Sequence, residues 1–336
     1  MQAPSFWWQE PGTAAAWLAP LAAVYAAVAA ARLRQAGEQA GVPVLCVGNP
    51  TLGGSGKTPT ALALARLLID AGERPFLLSR GYGGRLAGPV RVDLRHHRAE
   101  DVGDEPLLLA RAAPTIITRD RVAGARAAQR RGAGVIVLDD GFQNPSLTKN
   151  LSILVVDAHR GIGNGKVFPA GPLRAPLEAQ LERAQAMLII GDGPAAAEVA
   201  SGAAGRGLML FYGRLRPDAA TVESLQGTRV LAFAGIGHPD KFFATLADAR
   251  IDVVLRRSFP DHHRFTAEEA AALLAEAERT DLSLVTTEKD FVRLAHKRAL
   301  AGLAARSRAL PITLQIDEMD RFRAFVRGAV AGARAS

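Results

Sequence analysis

The chain of 336 residues predicts an α/β fold: a mostly parallel sheet core, a second and smaller α/β unit, and a separate apolar helix ahead of both. Three observations carry that expectation. From Val42 onward, short apolar runs alternate with alanine-rich helical patterns, and glycine-rich turns separate them, as in strand-helix-strand units. The length suits two domains at roughly 150 residues each. Apolar residues make up 49% and charged residues 22%, a composition that fills two cores and excludes extended disorder. The expected boundaries are 1–35 for the leading helix, 36–207 for the core, 208–227 for a connector and 228–336 for the second unit.

The leading element comes first. Its three tryptophans, Trp7, Trp8 and Trp17, are all the chain has, and an uncharged run over residues 14–31 ends at Arg32 and Arg34. Eighteen residues at about 1.5 Å each span roughly 27 Å, just short of a hydrocarbon core. Eleven of them are alanine and Pro20 interrupts the run. Trp17, Leu18, Leu21, Val24, Tyr25 and Val28 recur at helical spacing as one stripe. The pattern reads as a membrane-associating helix lying on the surface, with indoles at the headgroups and arginines meeting anionic lipid. A helix docked on the protein's own core and a membrane-spanning helix are the alternatives. No Lys or Arg precedes the apolar run, which speaks against a cleaved signal peptide.

In the core, strands are expected at 44–47, 75–78, 115–117, 135–138, 151–156 and 187–190, with helices at 60–71, 105–112, 121–131 and 177–185. Residues 208–216 read as an extended connector, followed by a polar stretch over 217–227. The second unit then runs as strand 229–234, helix 242–249, strand 251–255, helix 266–279, strand 282–285 and a terminal helix near 319–331. No internal repeat is visible.

Six lysines against 35 arginines and a net charge of +8 suit phosphorylated substrates or acidic headgroups. Arginine is spread through both units, and no basic stretch is interleaved with aromatics, so nucleic acid is not an expected partner. Cys46 is the sole cysteine. An intrachain disulfide and a cysteine-built zinc site are thereby excluded, and a reducing compartment fits.

The strongest signal follows the first strand. Val47-Gly48-Asn49-Pro50-Thr51-Leu52-Gly53-Gly54-Ser55-Gly56-Lys57-Thr58-Pro59 has the strand, loop and helix order of a phosphate-binding loop, or P-loop. Gly53, Gly54, Ser55 and Gly56 let backbone N–H groups turn toward an anion, and the next helix adds its positive N-terminal dipole. Lys57 can reach the β- and γ-phosphates and Thr58 can bind Mg²⁺. One position departs, since the general pattern has glycine where this chain has Thr51. Such a loop needs a carboxylate at the end of another buried strand, and Val135-Ile136-Val137-Leu138-Asp139-Asp140-Gly141-Phe142-Gln143 supplies two. One of Asp139 and Asp140 can hold Mg²⁺ directly or through water while the other positions a donor or nucleophile. No Asn-Lys-x-Asp string occurs, which disfavours a GTPase. Leu52 stands where membrane-partitioning ATPases of the deviant loop class have a second lysine.

Six motifs then follow one another: Gly53-Gly54-Ser55-Gly56-Lys57-Thr58-Pro59, Ser79-Arg80-Gly81-Tyr82-Gly83-Gly84, Gly103-Asp104-Glu105-Pro106, Asp139-Asp140-Gly141-Phe142-Gln143, Gly171-Pro172-Leu173-Arg174 and Asp261-His262-His263. In these the chain resembles the tetraacyldisaccharide 4′-kinases of lipid A biosynthesis, from the leading helix to beyond Asp290. The resemblance implies a P-loop core and a smaller α/β domain joined by a β-ribbon, with ATP and Mg²⁺ in the cleft. It implies transfer of the γ-phosphate of ATP to the 4′-hydroxyl of a tetraacylated glucosamine disaccharide 1-phosphate, giving lipid IVA at the cytoplasmic face of the bacterial inner membrane. It also implies that Asp104 is the catalytic base and that His262 assists it. The expected catalytic set is therefore Asp104, His262 and Lys57, and the expected metal ligands are Thr58 and Asp139. The expected nucleotide contacts are Gly53, Gly54, Ser55, Gly56, Lys57, Thr58, Asp140 and Gln143. Asn144 and Ala175 differ from the histidine and glutamate common in the family at those places.

Residue chemistry supports part of this independently. Pro106 in a first helical turn would set Asp104 near a helix N-terminus, whose dipole stabilises the anion and lowers its basicity. A neighbouring His262 could tune or orient it. Arg80 and Tyr82 are candidates to face nucleotide or sugar. Gly161, Gly163 and Gly165 with Lys166 read as a second phosphate cradle or a flexible substrate loop. His96 and His97 read as a polar surface pair, and His159, His238 and His296 carry no pattern. Glu288, Lys289 and Asp290 approach adenosine or cap a helix. The expected partners are the acceptor lipid and an anionic membrane surface, with no obligate protein partner. The alternative from another class is a membrane-bound P-loop nucleotide switch or ATPase acting on a protein.

Overall fold

Residues 3–295 and 297–335 are described by the computed structural model. The larger sheet takes β1 (Val44–Gly48), β2 (Pro75–Ser79), β3 (Val90–Arg91), β4 (Thr115–Ile117), β5 (Val135–Asp139), β6 (Leu151–Asp157), β7 (Ala186–Ile190) and β8 (Met209–Pro217). The smaller sheet takes β9 (Arg229–Ala234), β10 (Asp252–Ser258), β11 (Ser283–Thr287) and β12 (Ser307–Leu310). The chain then returns to the larger sheet with β13 (Ile312–Ile316).

Every residue of β1, β2, β5, β6 and β7 is buried, as expected of parallel strands with helices on both faces. Their order across the sheet is β13-β8-β7-β6-β1-β5-β2-β4-β3. Pairing is parallel from β8 to β4, and both edge strands are antiparallel. Side chains alternate between two cores with the strand period of two. Val44 and Cys46 face one core, while Leu45 and Val47 face the other, which holds Leu64 and Leu68 of the helix Lys57–Asp70.

The smaller sheet is parallel throughout, in the order β10-β9-β11-β12. The helix Pro239–Asp248 covers one face through Phe242, Phe243 and Leu246. Ala267–Thr280 covers the other through Leu273 and Ala277. Its start is a capping box in which Thr266 and Glu269 satisfy each other's backbone N–H groups.

The chain's last segment, expected within 228–336, leaves the smaller unit. β13 pairs with β8, from Ile312 opposite Pro217 to Ile316 opposite Gly213. The helix Met319–Ala335 then lays Phe322, Val326 and Val330 on the larger sheet's core, with Phe322 edge-on to Phe211. β8 and β13 thus form a two-stranded ribbon through which the chain leaves and re-enters the larger unit. The expected connector is strand in its first half and helix (Ala219–Leu225) in its second, started by Asp218, which accepts from Thr221 N–H.

The leading helix spans Thr13–Arg34. Its small residues Ala15, Ala22 and Ala30 are buried against the protein, whereas Trp17 is 85% exposed and Leu21, Val24 and Val28 are exposed beside it. Length and composition would let this helix cross a membrane, and only 11% of its apolar window is buried. Trp17, Leu21, Val24 and Val28 therefore do not dock on the protein's own core, whereas Tyr25 of the same stripe sets its ring 5.3 Å from Phe168. The expectation that all three indoles face lipid needs correction. Trp7 is buried, its indole N–H donates to Pro169 O at 3.0 Å, and its ring meets Phe168 edge-on. Trp8 lies under the guanidinium of Arg160 at 4.6 Å. The glycine turn of residues 161–166 packs on this segment, with Asn164 N–H donating to Trp7 O at 2.8 Å, and so does not form an open phosphate cradle.

Candidate active site

β1 delivers the chain into the P-loop, and the helix Lys57–Asp70 receives it. Gly56 sits at φ 93°, and a Cβ there would come within 2.6 Å of Ile190, so the turn requires glycine. Asn49 braces the loop from inside, its amide donating to Thr51 O at 2.6 Å and Gly53 O at 3.1 Å. Lys57 folds back over the loop, 3.3 Å from Gly53 O and 4.0 Å from Asp140. Burial lowers its pKa, opposed by the Asp140 charge.

The acidic pair ends β5, parallel to β1, with Val47 opposite Asp139. Arg174 clamps Asp140 at 3.1 and 3.3 Å and donates through Nε to Thr51 O at 2.9 Å, tying the carboxylate to the loop. Burial, together with the charges of Glu105 and Asp140, pushes the Asp139 carboxyl up to about 7. Asp139 Oδ1 and Ser55 Oγ are buried without a hydrogen-bond partner in the protein. Orphaned oxygens beside a phosphate-type loop fit a hard cation bound by one carboxylate, the Thr58 hydroxyl and phosphate oxygens. No cluster of three or more His, Cys, Asp or Glu able to hold a metal occurs among the described residues, so ligands from a bound nucleotide would have to complete such a site. Gln143 donates to Asn49 O at 3.0 Å and to Gln180 at 3.2 Å, so its side-chain N–H groups are engaged at the base of the loop.

Asp104 opens the helix Asp104–Ala110. Gly103 sits at φ 91°, and a Cβ there would lie 2.4 Å from Tyr82 O, so the close approach requires glycine. His262 Nδ1 lies 3.2 Å from Asp104 Oδ2, so the two residues implied by the resemblance do meet, across 158 positions of sequence. Arg293 joins them with Nε 3.0 Å from the same oxygen. Burial alone would raise the Asp104 pKa. The His262 hydrogen bond and the charges of Arg293 and Lys289 outweigh it and hold the carboxyl well below the usual carboxylate range. The hydrogen bond to Asp104 raises the His262 pKa against burial. Asp140 and His262 both adopt left-handed backbone, each at φ 55°, a conformation that non-glycine residues adopt mostly where the surroundings impose it.

Tyr82 is exposed, with its ring 5.3 Å from His262, whereas Arg80 is exposed at the end of β2. His96 and His97 fold a surface turn around Asp93. His296 lies outside the described residues. Glu288, Lys289 and Asp290 start the helix Glu288–Leu294; Lys289 reaches Glu105 at 2.6 Å. Asn49 and Glu105 stand in the quoted motifs without a role of their own, and Arg293 was missed because it sits in an ordinary helical context.

A family model for tetraacyldisaccharide-1-P 4′-kinase, LpxK, matches residues 14–331. The chain belongs to this family. Its LpxK-family relatives include a tetraacyldisaccharide 4′-kinase of Rhodopseudomonas palustris strain HaA2, 53% identical over 99% of this chain and 98% of the relative. Another, of Nitrobacter hamburgensis, is 51% identical over 99% of this chain and all of the relative. A crystal structure of LpxK from Aquifex aeolicus, an "apo" form in complex with ATP at 2.2 Å resolution, is similar with a TM-score of 0.73. Its sequence identity is 26%, over 94% of this chain and 99% of that one. Parallel core, ribbon and smaller unit are therefore family architecture.

Proposed function

We propose that this chain transfers the γ-phosphate of ATP to the 4′-hydroxyl of a tetraacylated glucosamine disaccharide 1-phosphate, forming lipid IVA at the cytoplasmic face of the inner membrane. Family membership supports the reaction, and the Asp104 carboxylate is the observation that carries the mechanism. It is 3% exposed, ionised, and held where the smaller unit meets the P-loop core.

A sugar hydroxyl is a weak nucleophile whose proton leaves as the new P–O bond forms, and a base in hydrogen-bond reach contributes typically about 10²–10⁴-fold. Asp104 takes that proton; His262 orients the carboxylate and adds positive charge beside it. Lys57 and the glycine-rich backbone hold the phosphates in line, and Arg174 keeps Asp140 against the loop. Thr58 and Asp139 would hold Mg²⁺, which when bound neutralises charge gathering on the phosphate oxygens. The outward stripe of Trp17, Leu21, Val24 and Val28 brings the cleft to an insoluble acceptor by resting on an anionic bilayer.

The test is transfer of ³²P from γ-labelled ATP to disaccharide acceptor in mixed micelles by the full chain. Wild-type protein labels the lipid, and Lys57→Ala and Asp104→Ala each lower kcat by roughly 100-fold or more without loss of circular dichroism. ATP hydrolysis with no labelled lipid would point to the nucleotide switch instead. Near-normal kcat in Asp104→Ala would remove its role as base.

A further inference from the structure

One side of the catalytic centre is closed by a row of acid-base pairs between the two units. The helix Glu288–Leu294 carries Lys289 and Arg293 four residues apart, on one face, and Lys297 follows just beyond its end. Lys289 Nζ lies 2.6 Å from Glu105, Arg293 Nε 3.0 Å from Asp104, and Lys297 Nζ 2.5 Å from Glu100. The outer pairs are partly exposed, whereas the Arg293 and Asp104 side chains are 6% and 3% exposed.

Arg293 is itself fixed from behind. Its Nη1 donates to Gly235 O at 2.7 Å and to Asp290 Oδ1 at 2.8 Å. The Asp290 carboxylate in turn accepts from Gly235 N–H at 3.0 Å and from the Thr287 hydroxyl at 2.6 Å. The guanidinium thus reaches Asp104 from a rigid mount in the smaller unit. Its Nε and Nη2 and the His262 imidazole converge on one oxygen, Oδ2. Asp104 Oδ1 accepts the N–H of Glu105 at 3.1 Å and keeps a lone-pair direction for a further donor.

We propose that Arg293 is a positioning residue for the transfer: by occupying Oδ2 from the smaller unit, it turns Oδ1 of Asp104 toward the acceptor hydroxyl and makes the base competent only when the two units are joined. The proposal rests on Asp104 being the base. Two N–H groups of one planar guanidinium on Oδ2 fix where that oxygen sits more closely than an ammonium point charge does. The charged groups around Asp104 are His262, with Asp261 acting on it from the same loop, then Lys289, Asp290 and Arg293 from the helix, and Glu105 next in the chain. Loss of the guanidinium therefore raises the Asp104 pKa, moving the acid limb of kcat to higher pH.

The experiment compares Arg293→Met, Arg293→Lys and Asp104→Ala in the full chain by steady-state kinetics over pH 3–9, a window that reaches below the ordinary carboxylate value of 3.8. Arg293→Met is expected to lower kcat about tenfold or more, with KM for ATP within about threefold and the acid limb shifted upward by about one pH unit. Added guanidinium ion recovers part of kcat, and Arg293→Lys falls between the two. Wild-type kcat and pH profile in Arg293→Met would overturn the proposal. So would a loss in which KM rises for both substrates, the pH profile is unmoved and guanidinium recovers nothing, because that describes a clasp between units. If Arg293→Met fails to fold, an unchanged kcat and profile in Arg293→Lys overturns it instead. Turnover retained by Asp104→Ala sinks the base assignment, whereas an inactive Asp104→Ala beside a normal Arg293→Met sinks only the positioning role.

Discussion

Asp104 and His262 depart from their ordinary pKa values in opposite directions through one contact, the imidazole favouring its charged form and the carboxyl its ionised form. For His262 the folded value lies above the unfolded 6.5. Its contribution to stability is fully present below about pH 6.5 and is lost as pH rises through the folded value. The Asp104 contribution is present above its unfolded value of 3.8 and is lost only in acid, so it stays constant between pH 5.5 and 8.5. Urea unfolding across that window should therefore show wild type losing stability relative to His262→Gln as pH rises. Parallel curves for the two proteins would mean that the contact is not formed in solution. Both residues were legible because each sits in a compact motif. Arg293 was not, since 189 residues separate it from Asp104 and an arginine every few positions is ordinary in so arginine-rich a chain.

At the scale of the element, the helix Thr13–Arg34 has two apolar faces with different tasks: alanines toward the protein and large side chains away from it. Inserting a side chain of leucine size into an apolar phase contributes roughly 1.5 kcal/mol or more, about a tenfold change in partitioning. Leu21→Gln with Val24→Gln should then cut cosedimentation with phosphatidylglycerol vesicles by at least about tenfold, leaving the melting temperature unchanged. Ala22→Gln, on the buried face, should do the reverse, and equal effects of both would mean that the faces are misassigned. The stripe was legible from its spacing, but its direction was not, because periodicity identifies a face without naming what meets it. The strands of the larger sheet were legible as fully apolar runs. β12 and β13 escaped because Pro311 divides them, β12 buries only its two ends and the burial of β13 alternates, while the helix Ala197–Gly205, built mostly from alanine and glycine, lacks a large apolar side chain apart from Val199.

Across the whole molecule, polar side-chain pairs among the described residues join the two units at two places apart from the ribbon. One is the row around Asp104. The other joins Asp157, at the end of β6, to Lys241, and Arg160 to His238 at 2.9 Å. Neither Lys241 nor His238 belongs to the nucleotide or base machinery. Lys241→Ala should lower kcat several-fold by loosening the smaller unit over the cleft, with the melting temperature moving by no more than a few degrees, since a half-exposed pair contributes little to stability. Wild-type kcat in this variant would mean that the row around Asp104 holds the units unaided. The existence of two α/β units was legible from the repeated strand-helix texture. The chain's return through β13 was not, because it is a matter of pairing between residues that lie about a hundred positions apart, and local pattern carries no record of it.

That return gives the molecule its mechanics. Pro217 and Ile312 are cross-strand partners, so the outgoing and incoming tethers leave the larger unit side by side, about 5 Å apart. Two adjacent tethers act as a leaf hinge: they permit swinging about the ribbon's end while resisting the twist that a single tether would allow. A lobe carried this way, if it swings, would meet the opposite wall along nearly the same arc each time, and a guanidinium mounted on it would return to the same carboxylate oxygen.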